Sequence, residues 1–250
     1  MTALRVVVVY PDLLGTYGDG GNGLILARRA AWRGIEVELT QAPSDAALPD
    51  ADIYCLGGGE DGPQVRAARS LIDDKTLARR AADGAVVLAV CAGYQIAGKS
   101  FPAADGEPHE GVGLLDIATT KGVGTRAVGE VVADATGLAL PPLTGFENHG
   151  GRTALAPETI PLATVTAGIG NGDGSGTEGA VADRIVGTYL HGPVLARNPV
   201  LAALLLSWAL DVEELAPLDD SAAMALREER LGTIGGARGG WRRRSPNKTR

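Results

Sequence analysis

One of the two cysteines, Cys91, lies in a sequence context typical of a nucleophile. The run Val90-Cys91-Ala92-Gly93 puts it between an apolar stretch and a predicted helix, flanked by small residues. Small neighbours permit the sharp strand-to-helix turn of a nucleophile elbow, and the unpaired N–H groups of a helix N-terminus stabilise a thiolate. Most free cysteines are instead small buried hydrophobes. We predict nucleophilic chemistry at Cys91 and a core position for Cys55, which lacks such neighbours.

A cysteine nucleophile needs a base, and the chain has three histidines. His191 directly follows the apolar run 185–189, and a parallel strand there would deliver it beside Cys91. His149 lies in a glycine-rich loop and is the alternative base, whereas His109 lies in a Pro/Glu/Gly-rich stretch expected at the surface. We favour His191 as the base.

The elements that must position these side chains are predicted from hydrophobic patterning. In the first half, short apolar runs alternate with helical patterns, which predicts an α/β fold with a mostly parallel sheet and helices on both faces. Ligands in such sheets bind beyond the carboxyl ends of the strands, so the segments 11–23, 57–61 and 91–95 are expected to form one site. The expected strands are Leu4 to Tyr10, Ile35 to Leu39, Ile53 to Leu56 and Ala85 to Val90, with helices at Asn22 to Trp32 and up to Asp83.

The second half has shorter, turn-rich runs that suit antiparallel strands added to the sheet. An apolar helix is expected from Asn198 to Leu210, with Pro199 in its first turn, and a weaker one from Ser221 to Leu231. We expect one domain over residues 1–231, followed by a flexible basic tail over 232–250. The expected strands are Gly113 to Ala118, Ala127 to Val132, Leu162 to Val165 and Ile185 to Tyr189.

Composition excludes several classes of protein. A net charge of −7 disfavours general nucleic-acid binding, which needs a basic face. No stretch approaches the roughly 20 apolar residues of a membrane span. Two cysteines are too few for a disulfide framework and are expected to be reduced, so a cytoplasmic location is expected.

Several motifs together resemble a known family. Cys-Ala-Gly-Tyr-Gln at 91–95, Gly-Gly-Gly-Glu-Asp at 57–61 and Gly-Thr-Tyr-Leu-His-Gly-Pro at 187–193 resemble the class I glutamine amidotransferases of the cobyric-acid-synthase type. Tyr-Pro-Asp-Leu-Leu at 10–14, Tyr-Gly-Asp at 17–19 and the stretch 145–153 look specifically like the glutaminase subunits of lipid II isoglutaminyl synthases. The resemblance covers residues 10 to about 230.

The resemblance implies roles for particular residues. Cys91 matches the family's nucleophile and His191 its base. Arg126 matches an arginine near the mouth of the site, although a surface guanidinium is the simpler alternative. Gln95 matches a position that helps to hold substrate glutamine. Backbone N–H groups of Ala92, Gly58 and Gly59 would then bind the oxyanion.

The resemblance also implies the reaction and the partner. The chain would hydrolyse L-glutamine to glutamate and ammonia without a metal or cofactor of its own. A Mur-ligase-like partner, using ATP and magnesium, would form a heterodimer with it and convert D-isoglutamate of the lipid II stem peptide to D-isoglutamine. The alternatives are a glutaminase of corrin amidation, a non-catalytic subunit on the same fold, and an unrelated cysteine hydrolase.

Pro193 is the main departure from the pattern. Better-known amidotransferases have a glutamate two residues after the histidine, and a base usually needs such an orienting partner. We favour a carboxylate supplied by the partner subunit, with Glu147 or Asp19 as internal alternatives. The stretch from Tyr10 to Asn22 lacks the lysine of a phosphate-binding loop and is expected to shape the site or an interface, with no chemistry assigned to it.

Overall fold

The computed structural model describes residues 3–104 and 106–240 of the chain. Strands and helices alternate in the first half because β-branched apolar runs are followed by stretches with helical periodicity. The predicted charged helical stretch up to Asp83 is two helices, interrupted at Lys75, which has a φ of +62°. In chain order the elements are β1 (Leu4–Val9), α1 (Gly21–Ala31), β2 (Val37–Ala42), β3 (Ile53–Leu56), α2 (Asp61–Asp74), α3 (Thr76–Ala82), β4 (Val86–Val90) and α4 (Ala92–Ala97).

The second half is dominated by short strands and ends in helices. The apolar helix expected near residue 198 begins at Pro199, whose missing N–H costs nothing in the first turn. The remaining elements are β5 (Ser100–Pro102), β6 (Pro108–Glu110), β7 (Ile117–Lys121), β8 (Ala127–Asp134), β9 (Leu143–His149), β10 (Gly151–Leu155), β11 (Ala163–Ala167), β12 (Thr177–Glu178), β13 (Ala180–Ala182), β14 (Ile185–Thr188), α5 (Val194–Arg197), α6 (Pro199–Leu210) and α7 (Ser221–Gly240).

A six-stranded sheet forms the centre of the fold, in the order β13-β14-β4-β3-β1-β2. All neighbouring strands from β14 to β2 are parallel, which confirms the predicted α/β class. Every residue of β3, β4 and β14 is buried, as expected for strands covered on both faces. Because β14 is paired with β4, the chain leaves both strands at the same edge of the sheet.

Antiparallel strands are present in the second half, as predicted, but only β13, which was not among the predicted strands, is added to this sheet. The other short strands form two separate four-stranded sheets, in the orders β10-β7-β5-β6 and β12-β11-β8-β9. Consecutive antiparallel strands such as β8 and β9 satisfy one another's hydrogen bonds, so they need no place beside the parallel strands. The strand expected from residue 113 begins only at Ile117.

The chain divides into two compact units, Met1–Leu218 and Asp219–Arg250. Helix α7 belongs to the second unit and extends to Gly240, so the boundary expected at residue 231 falls inside a helix. The part of the predicted tail from 241 to 250 lies outside the described residues. None of the helices in the described parts of the chain is long and apolar enough to cross a membrane.

Candidate active site

Cys91 occupies a strained turn between β4 and α4. Its φ of +53° and ψ of −104° lie in a region that non-glycine residues rarely adopt, at a cost of about 1–3 kcal/mol. The turn is possible because Gly93 follows it: an added Cβ there would lie 2.7 Å from the Leu56 Cβ. The Gly93 N–H donates to the Gly57 carbonyl at 3.1 Å, which fixes the start of α4 against the 57–61 loop.

Cys55 differs from Cys91 in its surroundings. It lies within β3 and is buried in the core of the sheet, with no turn or helix terminus next to it. Burial raises the pKa of its thiol to about 12, which leaves almost no thiolate at neutral pH. Both cysteines are free thiols.

His191 is delivered to Cys91 by the parallel pairing of β14 with β4. The register pairs Thr188 with Val90, so the residues just beyond these two strand ends lie together. The backbone of His191 is held by Phe146, with N–H to carbonyl distances of 2.8 and 3.2 Å. Its Nε2 is buried and has no hydrogen bond within the described residues.

Asp19 is the carboxylate that orients His191. Its Oδ2 lies 2.8 Å from the His191 Nδ1 and also accepts a hydrogen bond from the Gly58 N–H at 3.0 Å. The hypothesis that a partner subunit supplies this group is therefore not supported, because the ring nitrogen already has a buried carboxylate partner. The other internal candidate, Glu147, accepts from the N–H groups of Ile169 and Gly170 instead.

The Asp19 contact also sets the protonation state of His191. Burial alone would lower the pKa of His191, but the hydrogen bond to Asp19 and the nearby Cys91 side chain outweigh it. Together they raise that pKa to about 10. The imidazole is therefore protonated at neutral pH, and this suits a group that gives a proton to a leaving group.

The backbone around the nucleophile supplies N–H donors, but not all those expected. The Gly58 N–H is engaged by Asp19, so the expectation that it binds an oxyanion is wrong. An added Cβ at Gly58 would lie 2.9 Å from His191 Cε1, so this glycine lets the loop approach the imidazole. Gly59 and Ala92 line the cleft beside Cys91 and remain the candidate donors.

A cleft of about 250 Å³ opens above Cys91. Its charged side chains are Asp61, Lys121 and Arg126, a mixture that suits a small zwitterion such as an amino acid. Within the described residues, no group of three or more His, Cys, Asp or Glu side chains could hold a metal ion. The lining residues are Gly59, Asp61, Gln64, Cys91, Ala92, Gln95, Pro102, Ala103, Lys121, Gly122, Gly124, Thr125, Arg126, His149, Gly150 and Gly151.

Gln95 borders this cleft, but its side chain is already tied to the protein. Its Oε1 accepts from Gln64 Nε2 at 2.8 Å, and its Nε2 donates to the Tyr189 hydroxyl at 3.0 Å. The Tyr189 hydroxyl is in turn 2.6 Å from the Thr153 Oγ1. These bonds fix the orientation of the Gln95 carboxamide beside the cleft.

Arg126 lies just before β8 at the exposed side of the cleft. Its Nε and Nη2 donate to the side-chain and main-chain oxygens of Asn148, at 3.1 and 3.0 Å. Two bonds to one residue hold the guanidinium against β9. The alternative for Arg126 is a free surface arginine. Its guanidinium is instead held at the cleft, and this position favours binding of a carboxylate.

His149 has a different environment from His191. Its ring stacks on Tyr189 with a centroid separation of 3.7 Å, and its Nδ1 donates to the Gly151 carbonyl at 3.0 Å. Glu147 is 3.6 Å from its Nε2. The ring is thus packed as part of the cleft wall, whereas His191 has the carboxylate partner of a general base.

The sequence placed Tyr17 only within a loop expected to shape the site, and it gave Asn148 no role. The ring of Tyr17 lies 4.8 Å from that of His191, and Asn148 joins Tyr17 to Arg126. The available signal was their presence in the stretches 17–19 and 145–153, which resemble the family although no role could be attached to them. Their contacts span up to 174 residues of chain, so local patterns cannot reveal them.

Comparisons with known proteins agree with this geometry. The family model for the CobB/CobQ-like glutamine amidotransferase domain matches residues 5–199. The chain is 36% identical over 214 residues to the Staphylococcus aureus (strain N315) protein named lipid II isoglutaminyl synthase (glutamine-hydrolyzing) subunit GatD, covering 84% of this chain and 86% of that one. The subunit of the same name from Streptococcus pneumoniae (strain ATCC BAA-255 / R6) is 32% identical over 240 residues, covering 90% of each chain.

A solved structure described as a glutamine amidotransferase has the same fold. It superposes with a TM-score of 0.57 at 16% sequence identity, over 81% of this chain and 98% of that one. The family match includes the elbow at Cys91 and the strand that leads to His191. The chain belongs to the CobB/CobQ-like glutamine amidotransferase family.

Proposed function

We propose that the chain is the glutaminase subunit of a lipid II isoglutaminyl synthase. It hydrolyses L-glutamine and passes the ammonia to an ATP-dependent, Mur-ligase-like partner, which amidates D-isoglutamate of the lipid II stem peptide. The observation that carries the glutaminase step is the strained Cys91 elbow beside a buried His191–Asp19 pair, at the floor of a cleft. The named relatives match along nearly their whole lengths, which supports the choice of synthase.

The proposed reaction is acyl transfer through a thioester. The Cys91 sulfur bonds to the side-chain amide carbon of glutamine, and the negative charge on the oxygen is held by the N–H groups of Gly59 and Ala92. His191 gives its proton to the amide nitrogen, the C–N bond breaks, and ammonia leaves. Neutral His191 then takes a proton from water as the water oxygen attacks the thioester. Glutamate and the Cys91–His191 pair are released.

Substrate recognition is proposed to depend on the cleft wall. Arg126 would bind the α-carboxylate of glutamine, because Asn148 holds its guanidinium at the cleft. The second amide hydrogen of Gln95 would contact the substrate as well.

No cofactor is assigned to this chain, and ATP with magnesium is proposed for the partner. A cytoplasmic location is proposed, because both thiols are free and the acceptor chemistry requires ATP.

A non-catalytic role is the main alternative from another class. A subunit that only binds or regulates would have no use for a strained cysteine or for a buried histidine–carboxylate pair. Backbone strain persists only where the surrounding structure maintains it, and such strain is concentrated at functional sites. The catalytic proposal therefore explains more of the observed geometry.

Glutamate release from glutamine tests the proposed nucleophile. Cys91→Ser and Cys91→Ala are expected to abolish it, and Cys55→Ser is the matched control, expected to retain most of the wild-type rate. His191→Ala should reduce turnover by roughly 100- to 10,000-fold, as expected for loss of a general acid-base group. Equal losses of glutamate release from substitution of Cys91 and of Cys55 would contradict the assignment of Cys91 as the nucleophile.

Isotope tracing tests the acceptor. The chain would be mixed with the candidate ATP-dependent partner, lipid II and glutamine labelled with ¹⁵N in the side-chain amide. We expect the label in the α-carboxamide of the stem peptide, with unlabelled glutamine plus ¹⁵N-ammonium as the control for free ammonia. A parallel reaction would contain a corrin acceptor in place of lipid II. Label that enters the corrin but not lipid II would identify corrin amidation as the function instead.

A further inference from the structure

Tyr17 packs against His191 from the same loop that provides Asp19. The centroids of the two rings are 4.8 Å apart, with an interplanar angle of 57°. Tyr17 has a φ of +59°, a conformation that costs a non-glycine residue energy, and its side chain is 48% exposed. The Thr16 N–H donates to the Gly58 carbonyl at 3.2 Å, which anchors the loop next to the imidazole. The ring is therefore held over His191 although nearly half of it faces solvent.

The hydroxyl group of Tyr17 connects this ring to the substrate cleft. It accepts a hydrogen bond from Asn148 Nδ2 at 2.7 Å. The Asn148 Oδ1 accepts from the Nε of Arg126 at 3.1 Å, and its carbonyl oxygen accepts from Nη2 at 3.0 Å. One asparagine therefore binds both the side chain that covers His191 and the guanidinium at the cleft.

We propose that Tyr17 is a positioning residue that links the orientation of His191 to the substrate-binding Arg126. Its ring blocks one side of the imidazole and keeps Nδ1 hydrogen-bonded to Asp19. Nε2 is then available to Cys91 and to the leaving group. Its hydroxyl group, through Asn148, restrains Arg126 in the position that binds the substrate. The ring and the hydroxyl group thus have separate effects. The link to substrate rests on the proposed glutaminase function, whereas the effect on His191 does not.

The effect on His191 can be measured without glutamine. Iodoacetamide alkylates a cysteine through its thiolate, with loss of iodide, and the rate depends on the groups that lie beside the sulfur. Asp19 and Cys91 are the ionisable side chains that act on this imidazole. The rate of alkylation, located at Cys91 by peptide mass spectrometry and followed across pH, therefore reports how well His191 is positioned.

Two substitutions separate the ring from the hydroxyl group. Tyr17→Leu removes the ring and should slow alkylation of Cys91 at neutral pH by about 3- to 10-fold, the range of a lost aromatic contact. It should also lower kcat, which Tyr17→Phe should not, and it should raise KM as Tyr17→Phe does, because both substitutions remove the hydroxyl group. Tyr17→Phe keeps the ring, so the alkylation rate should stay within about two-fold of wild type. Trp32→Leu changes another exposed aromatic residue that lies outside the site. It should alter neither the alkylation rate of Cys91 nor kcat.

The link to Arg126 is tested by the KM for glutamine. Tyr17→Phe and Asn148→Ala should each raise KM by about 3- to 10-fold, since each breaks a hydrogen bond in the chain that restrains Arg126. The double variant Tyr17→Phe/Asn148→Ala should have the KM of Asn148→Ala alone. Melting temperatures close to wild type would show that the variants are folded.

Each part of the proposal can be overturned separately. A Tyr17→Leu variant that alkylates at the wild-type rate across pH would overturn the effect of the ring on His191. Independent, multiplicative effects of Tyr17→Phe and Asn148→Ala on KM would overturn the link to Arg126. A wild-type chain whose Cys91 is alkylated rapidly but which releases no glutamate would contradict the glutaminase function, while the alkylation comparison would still decide the role of the ring.

Discussion

At the residue scale, catalysis depends on how a buried imidazole is held and charged. His191 combines a carboxylate on Nδ1 with a cysteine on its other side, and these two acidic groups overcome the effect of burial. Asp19 also accepts from the Gly58 N–H, so one carboxylate connects the base to the loop that carries Gly59. Displacement of Asp19 would therefore disturb both the base and the oxyanion donors.

Asp19→Asn tests this arrangement through pH dependence. The raised pKa of His191 means that its proton is lost only as pH rises through about 10, so kcat/KM of the wild type should fall there. The variant lacks the carboxylate that raises this pKa, so its fall should occur at lower pH. Its maximal rate should also drop by roughly 100- to 10,000-fold, because the imidazole loses its fixed orientation.

The same substitution predicts a stability change with a definite sign. A histidine whose pKa is raised on folding contributes stability that is complete below its unfolded pKa and is lost as pH rises through its folded pKa. The difference in free energy of unfolding between the wild type and Asp19→Asn should therefore shrink between pH 6.5 and about 10. Urea denaturation across this range would measure it, and a constant difference would contradict the Asp19–His191 pairing.

Arg126→Ala is expected to impair binding of glutamine more than folding. The guanidinium is exposed, so its loss should change the melting temperature little, whereas KM should rise by about 10-fold or more, as expected when a charged hydrogen bond is lost. Lys121→Ala is the matched control for loss of positive charge at the cleft. A fall in melting temperature in proportion to the loss of activity would instead indicate a structural role.

Some of these residues could be predicted from local sequence, and others could not. Cys91 could be predicted because the elbow is a local feature, with small residues on either side of one turn. Asp19 was only one of several candidates, because 172 residues separate it from His191. Gly58 was misassigned for a related reason. Its backbone N–H is engaged by Asp19, a side chain from another loop, and local sequence does not show this contact.

At the element scale, the alternation of strand and helix predicted the central sheet because each parallel strand needs a helical crossover. The short strands of the second half carry no comparable constraint. Their patterning indicates a strand but not the sheet that it joins, so β7, β8 and β11 were wrongly expected beside the parallel strands. Strand β12 nevertheless affects the site, because Glu178 accepts from the Thr188 hydroxyl and from the Tyr189 N–H at 2.9 Å.

Glu178→Gln tests how β12 contributes to stability. Burial raises the pKa of Glu178 from 4.5 to about 7, so ionisation costs the folded state more stability at pH 8 than at pH 5. Glutamine keeps the Oε1 acceptor without the charge. The variant should therefore gain stability relative to wild type as pH rises from 5 to 8, by about 2 kcal/mol. Denaturation at the two pH values measures it, and an unchanged difference would contradict burial of an ionisable group.

At the scale of the whole molecule, the nucleophile, base, carboxylate and cleft all come from one chain. The residues concerned lie in the unit Met1–Leu218, and the family match covers 5–199. We therefore expect the isolated chain to perform the acyl-transfer step, with the partner needed to use the ammonia. The identity of the acceptor depends on the partner, and no pattern in this sequence specified it except the resemblance to a family.

The central claim is that Cys91 forms a thioester with glutamine in the isolated chain. The purified chain would be mixed with saturating glutamine, quenched in acid within its first turnovers, and mapped by peptide mass spectrometry. We predict a mass increase equal to glutamine minus ammonia on the peptide that contains Cys91, and none on the peptide that contains Cys55. Release of glutamate without any such adduct, or an adduct on Cys55, would contradict the account.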